Sequence, residues 1–415
     1  MSNRDRSNWT PNLPKVIKIT LTEGNLRNRL IALVVLLAIG FTAIGVGLKE
    51  AFTTDPGWKT IECYTEELAY SADITLQYYM GGEGVNATAQ ERALNAAYGE
   101  AMADAYRIFN SEVLDESNHN VAYLNAHLNE VVTVEPALYD ALALLENAGL
   151  HYARLGAVYA EYQPVFLSGS DGEAENYDPM KDAEAAAWVE ELTAVVTNPD
   201  MVTLELLADH QVCLRVSEEY LAFAEENGVD TILDLSWMTN AFVIDYVAEK
   251  LMEQGLTAGY LVSYDGFTRN LGGTEETFQV NLFARAEEGV HVVGALAYSG
   301  ATSMVALRDH PMSEADLWHY RTYEDGSITS VYLSPADGLS KAAVTDLVVY
   351  SGEMSCAELV IHAAPVFISD SFQRDALSVD GMNALWNQGR VIYHTSPDAN
   401  ITMDENSGFT LKLAE

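Results

Sequence analysis

An α+β fold behind a single membrane-crossing helix is what this sequence predicts, on three observations. Short alternating runs of β-branched and aromatic residues are interleaved with amphipathic helices and hairpins, without the strict strand–helix–strand repeat of a parallel α/β protein. A length of 415 residues with 49% hydrophobic composition suffices for a sizeable core. Leu30 to Leu48 (LIALVVLLAIGFTAIGVGL) is uncharged, and its 19 residues approach the roughly 20 that cross a bilayer's hydrocarbon layer.

Residues 1–29 form a leader holding Arg4, Arg6, Lys15, Lys18, Arg27 and Arg29 against Asp5 and Glu23. The positive-inside bias then leaves the N-terminus in the cytoplasm and the bulk of the chain outside, as a single-pass protein of the cell membrane. A cleaved signal peptide is the competing reading. The leader is long for one, no small-x-small site follows Leu48, and Lys49 and Glu50 come at once, so an uncleaved anchor spanning 30–48 is favoured. Cys63 lacks the short apolar run of a lipoprotein site.

Residues 49–60 read as a linker and 61–415 as the extracytoplasmic domain. Ile74 to Tyr79 alternates as a strand, and Glu91 to Phe109 and Leu138 to Ala148 have helical spacing, the latter behind Pro136. Ser168 to Pro179 is a polar, glycine-bearing loop that divides two lobes on this reading, and Ala183 to Val195 is a helix. Met201–Leu207 and Gln211–Val216 form a hairpin; Asp245–Glu253 is a helix feeding the strand Ala258–Tyr264. Strands follow from Phe278 to Ala297 and from Ser327 to Leu333. Lys341–Tyr350 and Cys356–His362 read as helices, and Arg390–Thr395 with Phe409–Leu413 closes the sheet.

Composition narrows the function. Of 61 acids and 22 bases, the leader takes two and six, leaving 59 acids against 16 bases, a formal charge of about −43 outside it. Such a surface excludes nucleic acid as a partner. It is either a salt-adapted coat or an ordinary solvated one that keeps the domain off anionic headgroups. Three cysteines (Cys63, Cys213, Cys356), unevenly spaced, fit neither a disulfide framework nor a zinc pattern. No GxSxG, P-loop or HExxH spacing is present.

The stretch from Ile232 to Gly273 carries the chemistry. Asp234, Leu235, Asp245, Val247, Ala248 and Leu251, with a strand ending at Gly266, resemble the DLGGIAKGYAADRVAELL…NLGGDI signature of the FAD:protein FMN transferases, the ApbE-like proteins. Other landmarks fall in family order: Tyr123, Leu124 and Asn125; Gly156 to Val165 against GAFDPTVGPL; Ala301, Thr302 and Ser303; His319 and Gly326 at the ends of HIIDPRTG; Leu339 to Val349 against LADALATALFV. The resemblance implies an ApbE-like fold of mixed and antiparallel sheets with flanking helices, FAD as ligand, and an envelope flavoprotein or redox protein as partner. It implies cofactor contacts at Asp234, Asn240, Asp245, Asp265, Gly266, Thr302 and Ser303, with His319 as proton acceptor.

The departures are chemical. Ser236, Trp237, Asn240 and Ala241 stand where the family has glycines and a lysine, and Tyr159 stands at an aspartate. Glycine lets backbone approach phosphate closely, and tryptophan fills that space. The family's aspartate and threonine for magnesium correspond to Lys341 and Thr345, with Thr239 a further remnant. An ammonium in place of a carboxylate opposes a hard cation that needs oxygen ligands. Three readings therefore stay open: a flavin- or partner-binding pseudoenzyme, an active magnesium-dependent transferase with shifted ligands, and a structural part of an envelope redox assembly. His319 also reads as an ordinary satisfied histidine, Asp234 and Asp245 as helix caps or surface acids, and Thr302, within SGATS, as a flavin acceptor.

Overall fold

The computed structural model describes residues 55–61, 63, 73–81, 85–286, 289–312, 316 and 318–414. The expected leader and membrane helix lie outside the described residues. Among the described ones no helix is long and apolar enough to cross a membrane. Residues 56–415 form one compact unit.

In chain order the elements begin with strands β1 (Gly57–Ile61) and β2 (Ile74–Met80), then helices α1 (Ala87–Phe109) and α2 (Val121–Ala126). Strand β3 (Val132–Thr133) precedes α3 (Pro136–Asn147), α4 (Gly156–Leu167), α5 (Asp171–Ala174) and α6 (Ala183–Val196). The hairpin β4 (Val202–Leu207) and β5 (Gln211–Val216) leads to α7 (Glu218–Asn227) and α8 (Thr239–Glu253). Strands β6 (Gly259–Ser263), β7 (Phe267–Asn270), β8 (Thr277–Ala286), β9 (Gly289–Ser299) and β10 (Thr302–Arg308) follow. The chain ends with β11 (Tyr320–Thr322), β12 (Ile328–Ser330), β13 (Asp346–Ser351), α9 (Cys356–Phe367), β14 (Asn383–Gln388), β15 (Val391–His394), β16 (Asn400–Met403) and β17 (Thr410–Leu413).

Nine strands form the central sheet in the order β1-β2-β6-β7-β10-β13-β14-β15-β17, antiparallel except for the parallel β15–β17 pair at one edge. Period-two alternation gives this sheet two cores. Val305, Leu307, Leu347, Val349 and Ala384 face helices α1, α8 and α9, whose buried stripes form the main core. Met304, Leu385 and Ile392 face the other way, under the three-stranded β16-β9-β8 sheet, and with Leu282, Val293 and Leu296 form a second core. The α+β class is as the sequence predicts.

Several boundaries differ from expectation. Lys341–Tyr350 is not a helix: 341–345 is irregular and Asp346–Ser351 is a strand between β10 and β14. Its Leu-Val-Val-Tyr run presents alternate side chains to both cores, and that packing overrides the helical preference of Ala342 and Ala343. Within Ser327–Leu333 only Ile328–Ser330 pairs, with Tyr320–Thr322. The polar loop at 168–179 contains the short helix α5, fixed by Asp171 accepting from Arg321 at 2.6 Å. Gly57–Thr60, inside the expected linker, is edge strand paired to β2.

Candidate functional site

The loop from Thr231 to Met238 is held by backbone hydrogen bonds before it offers any side chain. Asn125 brackets it, donating to the Leu233 carbonyl at 2.9 Å and accepting from the Ile232 and Leu233 amides at 3.2 and 2.8 Å. Gly156 donates its N–H to the Ile232 carbonyl, and a Cβ there would lie 2.8 Å from that oxygen, so the contact requires glycine. Asp234 then accepts from the Ser236 amide at 2.7 Å and the Ser111 hydroxyl at 3.1 Å. Burial pushes the Asp234 carboxyl up, and those two hydrogen bonds oppose the shift.

Ser236 sits at φ 46°, a left-handed conformation that glycine adopts without cost. The backbone turn survives there without its glycine. Trp237 is buried at 3% exposure, its ring 6.1 Å from Tyr152 and 5.1 Å from Tyr332. From this turn α8 begins at Thr239, and Asn240 donates to Asp265 at 2.8 Å.

These elements wall a cavity of about 310 Å3 between the end of α1, helix α4, the Asp234 loop and the segment Trp318–Leu333. Tyr106, Tyr159, Phe166, Trp237 and Trp318 supply aromatic surface. Asp234, Glu112 and His319 supply acidic and imidazole groups, and among the described residues no lysine or arginine lines it. His319 is half-buried; its charge opposes the upward push that burial gives to both Asp73 and Asp265. Trp318 stands 69% exposed.

Of the residues the sequence singled out, Asp234, Thr239 and His319 line one cavity, and Asn240 with Asp265 forms a hydrogen-bonded pair that His319 influences electrostatically. Tyr159, Ser236 and Trp237, singled out as departures, line it too, whereas Asp245, Gly266, Thr302 and Ser303 do not. Asp245 accepts from the Cys356 and Ala357 amides at 3.0 and 2.8 Å, tying α8 to the start of α9, and burial pushes its carboxyl up to about 6. Gly266, at φ 106°, makes the β6–β7 turn against the Ala306 carbonyl, 2.3 Å from where a Cβ would be. Ser303 donates to the Met354 carbonyl at 2.5 Å and receives Arg269; Thr302 opens β10 opposite Asn270. Ser111 and Tyr106 were not foreseen, and Gln163 is expected only as a replacement of a family glycine. Ser111 and Tyr106 have no sequence signal beyond following or ending a helix, whereas Gln163 and Tyr159 lie inside the Gly156–Val165 landmark.

Lys341 stands apart from the cavity with its ammonium 2.6 Å from Asp337 and 2.8 Å from Asp370. Thr345 precedes β13, its carbonyl accepting from the Asp309 amide. The position that the resemblance implies for a magnesium-binding carboxylate thus carries a cation paired with two acids. Among the described residues no group of three or more His, Cys, Asp or Glu is arranged to hold a metal ion.

No protein-family model and no curated protein matches the chain. Solved structures do. The ApbE protein of Thermotoga maritima superimposes with a TM-score of 0.52 at 15% identity, over 80% of this chain and 94% of that one. The flavin transferase ApbE of Vibrio cholerae gives 0.54 at 12% identity over 86% and 99%, and the apo flavinyl transferase ApbE of Pseudomonas stutzeri gives 0.50 at 13% over 82% and 94%. The chain is thus a divergent sequence on the fold of the ApbE flavin transferases.

Proposed function

We propose that this protein is a flavin-binding pseudoenzyme on the ApbE fold, tethered to the cell membrane by Leu30–Leu48 and acting on the outer side in flavinylation or envelope redox chemistry. The observation that carries the reading is the composition of the 310 Å3 cavity among the described residues: aromatic walls, two carboxylates, and no lysine or arginine. Aromatic faces stack a flat heterocycle, and the volume lies at the small end of ligand pockets, enough for a ring system but not for a whole dinucleotide. A diphosphate placed beside Asp234 and Glu112 would meet like charge with no lysine or arginine among the described lining residues to offset it. Phosphoryl transfer depends on neutralising that charge, so the same cavity that takes an isoalloxazine ring is poor at splitting FAD.

Within this reading each residue has a task. Tyr159 and Trp318 flank the ring, Asp234 accepts an N–H from it or holds the Ser236 turn, and His319 sets the charge at the mouth. The test is a fluorescence titration of the full-length chain in detergent with riboflavin, FMN, FAD and AMP. Riboflavin is expected to bind at least as tightly as FAD, and AMP not at all. FAD binding tenfold or more tighter than riboflavin, about 1.4 kcal/mol, would mean that a diphosphate site exists and would overturn the reading. Protease accessibility of the chain in intact cells tests the topology: digestion of the domain from outside supports it, and full protection contradicts it.

A further inference from the structure

One side of the central sheet lies open towards its β1 edge. The β16-β9-β8 layer covers that side over β10, β13, β14 and β15, and meets the open part through Phe278, whose ring lies 5.6 Å from Trp58 and 5.3 Å from Tyr260. Alternation along β2 buries Leu76 and Tyr78 in the main core and sends Thr75, Gln77 and Tyr79 outward. Register sets Thr60 and Trp58 of β1 on one flank of these, and Tyr260 and Val262 of β6 on the other. Thr60 is exposed and the rest are half-buried.

None of these outward positions is charged, in a chain whose portion outside the leader carries a formal charge of about −43. Trp58 meets Tyr79 edge to face at 5.7 Å, and its indole N–H donates to Glu276, at the rim, at 2.8 Å. Gln77 donates to Thr60 at 2.7 Å. Amphipathic rings beside hydroxyls and an amide suit the headgroup layer of a bilayer, where tryptophan and tyrosine keep an apolar body towards the acyl chains and a polar tip in water. Residues 49–56 separate Leu48 from β1, and eight residues reach at most about 29 Å when fully extended. The open face is therefore tethered close to whatever surface Leu30–Leu48 enters, while anionic headgroups repel the acidic coat elsewhere.

We propose, on the reading of Leu30–Leu48 as an anchor, that this face rests on the zwitterionic headgroup layer of the membrane, with the rings of Trp58, Tyr79 and Tyr260 at the boundary with the acyl chains. The test reconstitutes the full-length chain in phosphatidylcholine vesicles, with or without bromine high on the acyl chains, and reads tryptophan emission. Wild type minus Trp58→Phe isolates Trp58 among the six tryptophans. That difference is expected to be largely lost in brominated vesicles and intact in plain ones. Thr75→Glu together with Gln77→Glu, checked by circular dichroism to be folded, puts charge on the face and is expected to shrink the bromine-dependent loss of total emission, a comparison that does not need Trp58→Phe to fold. Equal quenching in that folded variant, or Trp58 emission that bromine leaves unchanged while alkaline carbonate fails to extract the chain, would overturn the proposal and leave the anchor standing. Extraction by carbonate would overturn both. A soluble neutral glucan that changes Trp58 emission where bromine does not would assign the face to a polysaccharide and overturn the proposal too.

Discussion

Ser236 carries a strained left-handed backbone because Asp234 and the Asn125 bracket fix the turn on either side of it. Ser236→Gly removes that strain, and urea unfolding should show a gain of about 1 kcal/mol. A loss would mean that the serine side chain, not the backbone, sets the turn. Gly266 is the opposite case: φ 106° and the Ala306 carbonyl leave no room for a side chain. Gly266→Ala is expected to cost about 2–4 kcal/mol on the same measurement. The sequence marked Asp234, Asp245 and Gly266 alike as ligand contacts, yet only Asp234 lines the cavity. A signature residue read from sequence does not say whether it meets a ligand or another strand; Asp245 and Gly266 hold the scaffold together.

Among elements, the junction of α8 with α9 rests on Asp245 capping the Cys356 and Ala357 amides. Asp245→Ala leaves two buried donors unpaired and should cost about 2–4 kcal/mol in thermal or urea unfolding, whereas Asp245→Asn, which keeps one acceptor, should cost less. Equal losses would place the effect in charge rather than hydrogen bonding. The hairpin β4–β5 and helices α1, α3 and α6 were legible within a few residues, because each buries one periodic stripe. Strand β13 was not. Its apolar run feeds two cores at once, and only the position of the β16-β9-β8 layer shows that both faces are covered. The aromatic wall of the cavity was hidden for a similar reason: Tyr106, Tyr159 and Trp318 come from elements far apart in sequence, and no local pattern joins them.

At the scale of the whole molecule, buried acids and a charge of −39 shape the response to pH. Burial pushes both Asp245 and Asp346 up to about 6 from an ordinary value of 3.8. Between those values the folded chain holds protons that the unfolded chain has released, so folding is disfavoured above about pH 6 and that penalty fades as pH falls towards 4. Melting temperature is therefore expected to rise from pH 7 to pH 5. A monotonic fall over that window would contradict this expectation, because hydrogen-bonded surface carboxylates such as Asp115 and Asp171, which lie below the ordinary range, lose their contribution only below about pH 4. The central claim is that the fold has kept a ring-binding cavity and lost the transfer chemistry, with Lys341 paired to Asp337 and Asp370 where a magnesium ligand is implied. The most direct measurement is release of AMP from FAD by the full-length protein, with and without magnesium, followed alongside flavin fluorescence. The account predicts a saturable fluorescence change with no AMP under either condition, and magnesium-dependent AMP release would contradict it.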